Sequence, residues 1–494
     1  MHGSTWHVGA VLPAADAPPL GAHAITIGGD GRIAALAPCD PSGLTTAEAA
    51  LVAMPALANA HDHGRGLATL ACGVADAPLE HWMIDLARQP RVDAYDTAAL
   101  ALARLAGSGV AAVYHCHNTQ NGAALLDEAE AVSRAARDTG VRVAFGWPFF
   151  DANPLVYGDH AELARFFPPE RRAAIATMDQ GLRSCATNMA LFGRAQALEH
   201  DTFALHYHPV APQWAQPATL VAIAAASAAS GRRVHTHLLE TRLQREWADA
   251  HFPQGFVPWL DAIGLLSPRL TVAHGVWLRA DELALLAARG VTVSVNVSSN
   301  LRLRSGLPPL AQIAQAGVGL ALGLDGMGLD DDADMLREIR LAHLLLGQPD
   351  RDASGPAALP GTQAVLHAAW SGGRAAILGP DDGGGRLAPG APADMLLIDR
   401  RRMAQDWIGD GWPADPAWLL ARATRADVAH LLVGGRAVVR DGRVTGLDEA
   451  ALAARLVTQA RAARAATPPD TARIAQTQAA THAFYAAGCH CGQP

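Results

Sequence analysis

The chain contains no lysine, and all 39 of its Lys and Arg positions are arginine. A reaction that needs a lysine amine is therefore excluded. That amine could otherwise form a Schiff base with a substrate or, once carboxylated, bridge two metal ions. Any metal ligands in this chain must come from other side chains.

Several other features are scarce. The six cysteines are scattered and show neither a disulfide framework nor the spacing of a zinc ribbon. No apolar run is long enough to cross a bilayer, and residues 1–13 lack the basic segment that opens a secretion signal. The formal charge of −8 argues against nucleic acid as the main partner, because phosphate binding requires a basic surface. We therefore expect a cytoplasmic protein that binds neither membranes nor nucleic acid.

Apolar side chains are abundant, and their pattern predicts the main fold. Half of the 494 residues are apolar and only 17% are charged, which is typical of a well-buried globular enzyme. Between about residues 51 and 378, short apolar runs alternate with longer helical stretches. The predicted strands are Leu51–Asn59, Val110–His115, Val141–Trp147, Thr202–His208, Arg233–His237, Leu270–His274, Val291–Asn296 and Val318–Leu324. Eight strands separated by helices predict an α/β fold, a closed (β/α)8 TIM barrel.

The two ends of the chain have a different pattern. Ala24–Ile27 and Arg32–Leu36 flank a glycine-rich turn and predict a β-hairpin, and further β-type runs follow at Asp394–Asp399 and Leu431–Val444. We expect these pieces to form one small β-sandwich. The predicted domains are residues 1–54 with 379–446 for the sandwich, 55–378 for the catalytic barrel and 447–494 for a helical tail. The tail ends in Cys489-His490-Cys491, for which we expect a solvated segment rather than a metal site.

Histidines and one aspartate stand at the ends of the predicted strands. His61 and His63 close the first strand and project to one side, since side chains alternate along a strand. His237, His274 and Asp325 close the fifth, sixth and eighth strands. In a barrel these ends converge on one rim, where functional groups gather. Imidazoles with a carboxylate suit zinc or ferrous iron better than magnesium or calcium.

These segments, together with several others, resemble the amidohydrolase superfamily. They are most similar to its branch of nucleobase and adenosyl-type deaminases and triazine hydrolases. The segments that carry the resemblance are Asn59-Ala60-His61-Asp62-His63, His237-Leu238-Leu239-Glu240-Thr241, Ala273-His274-Gly275, Ser298-Ser299-Asn300, Gly323-Leu324-Asp325-Gly326 and Gly390-Ala391-Pro392-Ala393-Asp394. The resemblance implies a barrel with a composite sandwich and a site for one metal ion. The missing lysine agrees, because the binuclear branches use a carboxylated lysine.

The resemblance also implies a role for each site residue. His61, His63, His237 and Asp325 would be the ligands of one divalent ion, with zinc expected first and ferrous iron as the alternative. Glu240 would move protons, and His274 would orient the attacking water, with direct ligation of the ion left open. The ion lowers the pKa of water from about 15.7 to near 7. The resulting hydroxide would attack an sp² carbon of a small nitrogen heterocycle and expel ammonia.

Two departures from the branch leave other outcomes open. Val210 and Val295 stand where pocket-edge histidines are usual, so the substrate or the leaving group is expected to differ from that of an ordinary purine deaminase. The alternatives are loss of sulfide, as in a desulfhydrase acting on a thioxoimidazolidine propionate, loss of chloride, or opening of a cyclic amide. A non-catalytic scaffold is the alternative outside enzymes, and the intact set of site residues argues against it.

Substrate contacts and assembly are predicted with less support from the sequence. Trp82 is a candidate lid residue, and His117, after the second strand, is a candidate contact. Arg302 and Arg304 could meet an anionic substrate, although we expect them to be solvated. The oligomeric state cannot be read from the residues themselves, but the resemblance implies a homodimer, with the helical tail as a candidate contact.

Overall fold

The computed structural model describes residues 3–119, 121–178, 181–346, 361–413 and 415–492. The strands are β1 Ser4–Val8, β2 Ala10–Val11, β3 His23–Ile27, β4 Ile33–Pro38, β5 Leu51–Pro55, β6 Leu57–Asp62, β7 Val110–Cys116, β8 Arg142–Phe149, β9 Phe203–Pro209, β10 Val234–Leu238, β11 Leu270–His274, β12 Thr292–Val295, β13 Gly319–Leu322, β14 Met395–Asp399, β15 Val428–Val433, β16 Arg436–Arg440 and β17 Arg443–Val444. In chain order, β1–β5 belong to the sandwich sheets, β6–β13 to the barrel and β14–β17 again to the sandwich.

Helices connect the barrel strands and continue into the tail. They are α1 Thr46–Ala50, α2 Leu79–Asp85, α3 Ala94–Gly107, α4 Leu125–Thr139, α5 His160–Ala164, α6 Pro169–Ala176, α7 Cys185–Ala195, α8 Pro217–Ser230, α9 Arg242–His251, α10 Phe256–Ala262, α11 Ala280–Ala288, α12 Val297–Arg302, α13 Leu310–Gln315, α14 Met335–Leu346, α15 Thr362–His367, α16 Gly373–Leu378, α17 Pro416–Arg422, α18 Glu449–Ala466 and α19 Thr471–Ala486. Glycine ends some of them: α4 stops at Gly140, whose φ of +81° suits a residue without a Cβ atom.

The predicted barrel is confirmed. Strands β6 to β13 lie side by side in chain order, and the paired neighbours are parallel. The first and last strands meet through single hydrogen bonds. The Asp325 amide donates to the His61 carbonyl at 2.8 Å, and the Leu324 amide donates to Asn59 Oδ1 at 3.0 Å. This seam places the ends of β6 and β13 next to each other.

The predicted strand Leu51–Asn59 is two strands, so that prediction was wrong. Leu51–Pro55 pairs antiparallel with β14 outside the barrel, whereas Leu57–Asp62 pairs with β7 inside it. Every residue of the run is buried, because both strands lie between covered layers. A continuous apolar run therefore gave no sign of the change of sheet at Ala56.

Strands from both chain ends form the composite sandwich. One sheet has the order β1-β3-β4, and the other has the order β17-β16-β15-β14-β5-β2. Met395 and Leu397 of β14 pack into the core between the two sheets, whereas Leu396 and Ile398 join the main core of the barrel. The second sheet thus has two buried faces and fixes the sandwich to the barrel. The domain limits at 54/55, 378/379 and 446/447 stay a proposal.

The end of the chain is packed against the barrel, so the expectation of a solvated tail was wrong. Phe484 of α19 is fully buried, and the Tyr485 hydroxyl accepts a hydrogen bond from the Tyr157 amide at 3.2 Å. Cys489 and His490 are 5% and 3% exposed, and His490 Nε2 lies 3.0 Å from a carboxylate oxygen of Glu246. The few large apolar residues of the alanine-rich helix α19, such as Ile474, Phe484 and Tyr485, are enough to pack that helix against the rest of the protein.

All six cysteines are free, with no disulfide bond between them. Among the residues that the structure describes, no helix has both the length and the apolar character needed to cross a bilayer.

Candidate metal centre

Four side chains meet at the carboxyl-terminal rim of the barrel. His61 is the next-to-last residue of β6, His63 follows that strand, His237 lies in β10, and Asp325 follows β13. Their candidate ligand atoms all lie within 4.8 Å of one another. Asp325 Oδ1 is 3.1 Å from His61 Nε2 and 3.0 Å from His63 Nε2. The structure therefore brings together the four residues that the sequence singled out as ligands.

Backbone carbonyls orient two of the three imidazoles. His63 Nδ1 lies 2.9 Å from the carbonyl oxygen of Cys116, and His237 Nδ1 lies 2.5 Å from that of Val210. A carbonyl can only accept, so each ring donates from Nδ1 and keeps a lone pair on Nε2. A metal-binding histidine is usually held in this way.

Burial sets the charge of the cluster. It lowers the pKa of His61 to about 4 and brings the pKa of His237 well below its usual range. Burial opposes ionisation of Asp325, but the adjacent His61 and His63 outweigh it and hold the pKa of that carboxyl well below its usual range. At neutral pH His61 and His237 are thus neutral and Asp325 is a carboxylate, which are the forms that bind a metal ion.

The cluster fits one divalent ion. His61 Nε2 and Asp325 Oδ1 are buried and have no hydrogen-bond partner among the described atoms. Unpaired buried acceptors are costly, and a cation between them would satisfy both. Three imidazole nitrogens and one carboxylate oxygen form a donor set that divalent transition metals prefer.

Asp62 and Asn59 hold the seam beside the cluster. Asp62 Oδ2 accepts from Asn59 Nδ2 at 2.8 Å and from the Gly326 amide at 3.3 Å. Its other oxygen accepts from the Gly64 amide at 2.7 Å. The residue between the two histidines therefore points away from them, as the alternation predicted, and ties the first strand end to the turn that carries Asp325.

Glu240 and His274 lie beside the cluster. Glu240 is 2% exposed, and its Oε2 is 3.7 Å from His274 Nε2. Its Oε1 accepts a hydrogen bond from Ser305 Oγ at 3.0 Å. Burial raises the pKa of Glu240 to about 7. A carboxyl group with that pKa can both take up and release a proton near neutral pH.

His274 is held by an amide side chain. Its Nδ1 lies 3.2 Å from Asn300 Oδ1, and its buried Nε2 has no hydrogen-bond partner among the described atoms. Its ring centroid is 5.4 Å from that of His237. His274 lies outside the group of four whose ligand atoms are within 4.8 Å of one another. Direct ligation by His274 stays open.

The backbone is strained at two of these residues. His274 has a φ of +72° and Asp325 a φ of +59°, a region that costs a residue with a side chain about 1–3 kcal/mol. The seam hydrogen bond from the Asp325 amide and a 2.5 Å hydrogen bond from Ser299 Oγ to Asp325 Oδ2 hold the second of them in place. Strain of this kind is typical of functional sites.

Trp82, the candidate lid residue, lies in helix α2 and packs inward. It is 4% exposed and belongs to an apolar cluster with Leu303 and Met327. The guanidinium carbon of Arg65 lies 5.1 Å from its ring centroid, and Arg65 Nη1 donates to the Asp325 carbonyl at 3.0 Å. Arg65 thus links Trp82 to the turn that carries Asp325. The roles of Trp82 as a lid residue and as a substrate contact stay predictions.

His117 borders a cavity of about 270 Å³ that reaches His63. His117 Nε2 is 2.8 Å from Glu128 Oε2, and its Nδ1 is 3.2 Å from His115 Nε2. The ring is therefore held on both sides at the cavity wall. Its contact with substrate stays a prediction.

The two arginines at the end of α12 and just after it differ in exposure. Arg302 is 8% exposed and makes ion pairs with Asp76 and Asp331, so the expectation of a solvated side chain was wrong. Arg304 is exposed, as expected.

The two valines at the positions of the usual histidines lie in different surroundings. Val295 is fully buried in the apolar core, and Val210 supplies the carbonyl that orients His237.

Sequence reasoning missed the residues that support the site. Asn59, Asp62 and Ser299 stand next to predicted ligands or inside the quoted motifs, so their positions were visible but their partners were not. Ser305 gave no comparable signal. His235 stands two residues before His237 in the same strand, so the side to which it projects was visible, but its contact with His61 was not.

The sequence profile described as "Amidohydrolase family" matches residues 52–438. The chain belongs to the amidohydrolase family. The match covers the barrel and most of the returning sandwich strands, and the family makes the protein a metal-dependent hydrolase.

Known relatives agree with this family. The chain is 29% identical over 404 residues to a 5'-deoxyadenosine deaminase of Methanothermobacter thermautotrophicus, covering 80% of this chain and 84% of the relative. It is 30% identical over 443 residues to a 5-methylthioadenosine/S-adenosylhomocysteine deaminase of Nitratidesulfovibrio vulgaris, covering 86% and 90%. A solved adenosine deaminase of Xanthomonas campestris with bound zinc superposes with a TM-score of 0.75 at 24% identity, covering 93% of this chain and 98% of that one. At that identity the superposition establishes the fold alone.

We expect one divalent ion per chain, and its removal by a chelator should lower the melting temperature because the ion binds only the folded cluster. Elemental analysis and calorimetry before and after chelation measure both effects. H237A should lose the ion. H200A should keep it, because His200 bonds to Ser133 and Thr202 rather than to the cluster. Two ions per chain, or an ion retained by H237A, would contradict this site.

Proposed function

We propose that this amidohydrolase is a hydrolytic deaminase of a small nitrogen heterocycle. Water would add to the ring carbon that carries an amino group, and the amine would leave as ammonia, so that a carbonyl replaces the amino substituent. The placement of Glu240 carries this proposal. Its buried carboxyl group faces His274 at 3.7 Å beside the ligand cluster, and its pKa is raised to about 7.

Glu240 is proposed to transfer the proton. In the ionised form it takes a proton from water, and in the protonated form it gives that proton to a ring nitrogen or to the departing amine. Ser305 Oγ holds one carboxyl oxygen, and the backbone amide of Glu240 donates to Gln244 Oε1 at 2.8 Å, so the side chain and the backbone of Glu240 are each held by one hydrogen bond. Proton transfer of this kind contributes about 10²–10⁴-fold to a rate.

His274 is proposed to orient the attacking water. Asn300 fixes its Nδ1, which leaves Nε2 directed toward the carboxyl group of Glu240. A water molecule between these groups would have a hydrogen-bond partner on each side.

Zinc is the ion we propose, with ferrous iron as the alternative. His61, His63, His237 and Asp325 would hold it, and a divalent ion there lowers the pKa of water toward 7. The donor set and the zinc named for the superposed adenosine deaminase support this choice.

The substrate class rests on the relatives and on the size of the cavity. The two relatives are deaminases of adenosyl compounds. The cavity of about 270 Å³ at His63 is near the lower end of the range for small-molecule sites, about 300–1,000 Å³. We propose an amino-substituted purine or a related heterocycle that enters by this cavity. The cytoplasmic location and the homodimer stay predictions.

A substrate panel tests the reaction. The metal-loaded protein should release ammonia from at least one of adenosine, 5'-deoxyadenosine, 5'-methylthioadenosine, S-adenosylhomocysteine, adenine and guanine, with kcat/KM of about 10⁴ M⁻¹ s⁻¹ or more. Sulfide and chloride should be assayed in parallel on thioxo and chloro analogues. Release of either ion without ammonia would replace the proposed leaving group, and no turnover of any compound would favour the scaffold alternative.

Glu240→Gln should keep the metal ion and lower kcat/KM by about 10²–10⁴-fold, because the amide cannot take up a proton. Elemental analysis and steady-state kinetics measure the two effects. The matched control is Glu338→Gln. Glu338 is also buried, its pKa is also raised to about 7, and it accepts from the Ser298 amide at 3.1 Å. Full turnover by metal-loaded Glu240→Gln would eliminate the proposed role.

The raised pKa of Glu240 predicts an acid limb in the pH profile. Above about pH 7 the carboxyl group is ionised and can accept a proton, and below it the group is protonated and cannot. We therefore expect kcat/KM to be level above this pH and to fall about tenfold for each unit below it. Metal content measured at each pH separates this limb from loss of the ion, and a flat profile between pH 5.5 and 8 would count against Glu240 as the base.

A further inference from the structure

The hydrogen-bond partners of His61 Nδ1 are side chains, whereas those of His63 and His237 are backbone carbonyls. Backbone carbonyls fix the Nδ1–H of His63 and His237. His61 Nδ1 instead faces two side chains. His235 Nε2 lies 2.9 Å away and Cys116 Sγ 3.1 Å away. A side-chain imidazole can either donate or accept, so the position of the proton on His61 is not fixed by the backbone.

The contact with His235 follows from strand geometry. His235 and His237 are two residues apart in β10, so they project to the same side of the strand, into the barrel. His237 reaches the rim, whereas His235 lies one layer below. The His61 and His235 rings are nearly parallel, with an interplanar angle of 6°, and both are completely buried. No water competes for this hydrogen bond at zero exposure.

We propose that His235 is a positioning residue that accepts the Nδ1–H of His61 and so keeps the lone pair of His61 on Nε2, toward the ion. The inference rests on the metal site of the proposed function. In the opposite arrangement His235 donates, and the proton of His61 lies on Nε2. That proton then points at Asp325 Oδ1, 3.1 Å away, and blocks ligation.

The surroundings of His235 hold its ring but give its Nδ1 no partner. If Nε2 accepts, the proton of His235 must lie on Nδ1, which is buried and has no hydrogen-bond partner among the described atoms. An unpaired buried N–H is costly, so an ion on His61 Nε2 would have to offset that cost. Tyr114 covers the ring, with a centroid distance of 3.9 Å and an angle of 18°. The backbone of His235 is held as well, since His208 Nδ1 donates to its carbonyl at 2.8 Å. The ring is thus fixed by stacking, and its Nε2 remains directed at His61.

Of the two side chains that face His61 Nδ1, Cys116 is the weaker hydrogen-bond partner. Its sulfur accepts hydrogen bonds poorly, so it supplements His235 and cannot replace it. The carbonyl oxygen of Cys116 accepts the hydrogen bond from His63 Nδ1. The last residue of β7 therefore touches two of the predicted ligands, one through the backbone and one through the side chain.

The test compares two polar substitutions that differ in reach. In His235→Gln the amide oxygen can take the place of Nε2 and accept from His61. In His235→Asn the amide is too short to do so. We expect His235→Asn to weaken zinc binding about 10–100-fold in competition with a chromophoric chelator, and to alter the visible absorption bands of the cobalt-substituted protein. His235→Gln should stay within a few-fold of wild type in affinity and keep the cobalt spectrum.

His206→Asn is the matched control. His206 is another buried histidine of the barrel interior and also lies beside Tyr114, at a centroid distance of 5.6 Å. Its substitution should leave zinc affinity and the cobalt spectrum unchanged. Equal affinity in the two His235 variants, or an equal loss in the control, would overturn the positioning role. A wild-type protein that binds no divalent ion would contradict the proposed function as well, so the two failures can be told apart.

Discussion

The seam between the first and last barrel strands is the constraint on which the site depends. The Asp325 amide bonds to the His61 carbonyl across it, and Asn59 and Asp62 reinforce the junction on the side away from the cluster. Two predicted ligands come from one side of this seam and one from the other. Gly323 permits the close approach, because a Cβ atom there would lie 2.8 Å from the His61 carbonyl oxygen. Closing the barrel and assembling the ligand cluster are therefore one structural event.

The site combines buried groups that would be unfavourable in isolation. The neutral imidazole of His61 lies against the ionised carboxylate of Asp325, and burial raises the pKa of Glu240 to about 7. The two strained residues, His274 and Asp325, lie at strand ends where the barrel holds their backbone rigidly. The strained backbone at these two positions lowers the stability of the fold, and burial of the large apolar core offsets that loss.

Much of this arrangement could be predicted from the sequence, because it follows short-range patterns. Strand and helix alternation predicted the barrel, the hairpin was visible in its glycine-rich turn, and the resemblance of motifs brought His61, His63, His237 and Asp325 together. The change of sheet at Ala56, the burial of Arg302 by Asp76 and Asp331, and the contact of His235 with His61 could not be predicted. Each depends on partners far away in the chain, and neither periodicity nor a local motif carries that information.

The packed tail has a consequence for how the protein is made. Helix α19 packs on α2, Tyr485 bonds to the backbone of Tyr157, and His490 reaches Glu246 in the helix that follows Glu240. Residues 471–490 are synthesised after every predicted ligand. The packing around α2 and α9 is therefore completed only once these residues have been made.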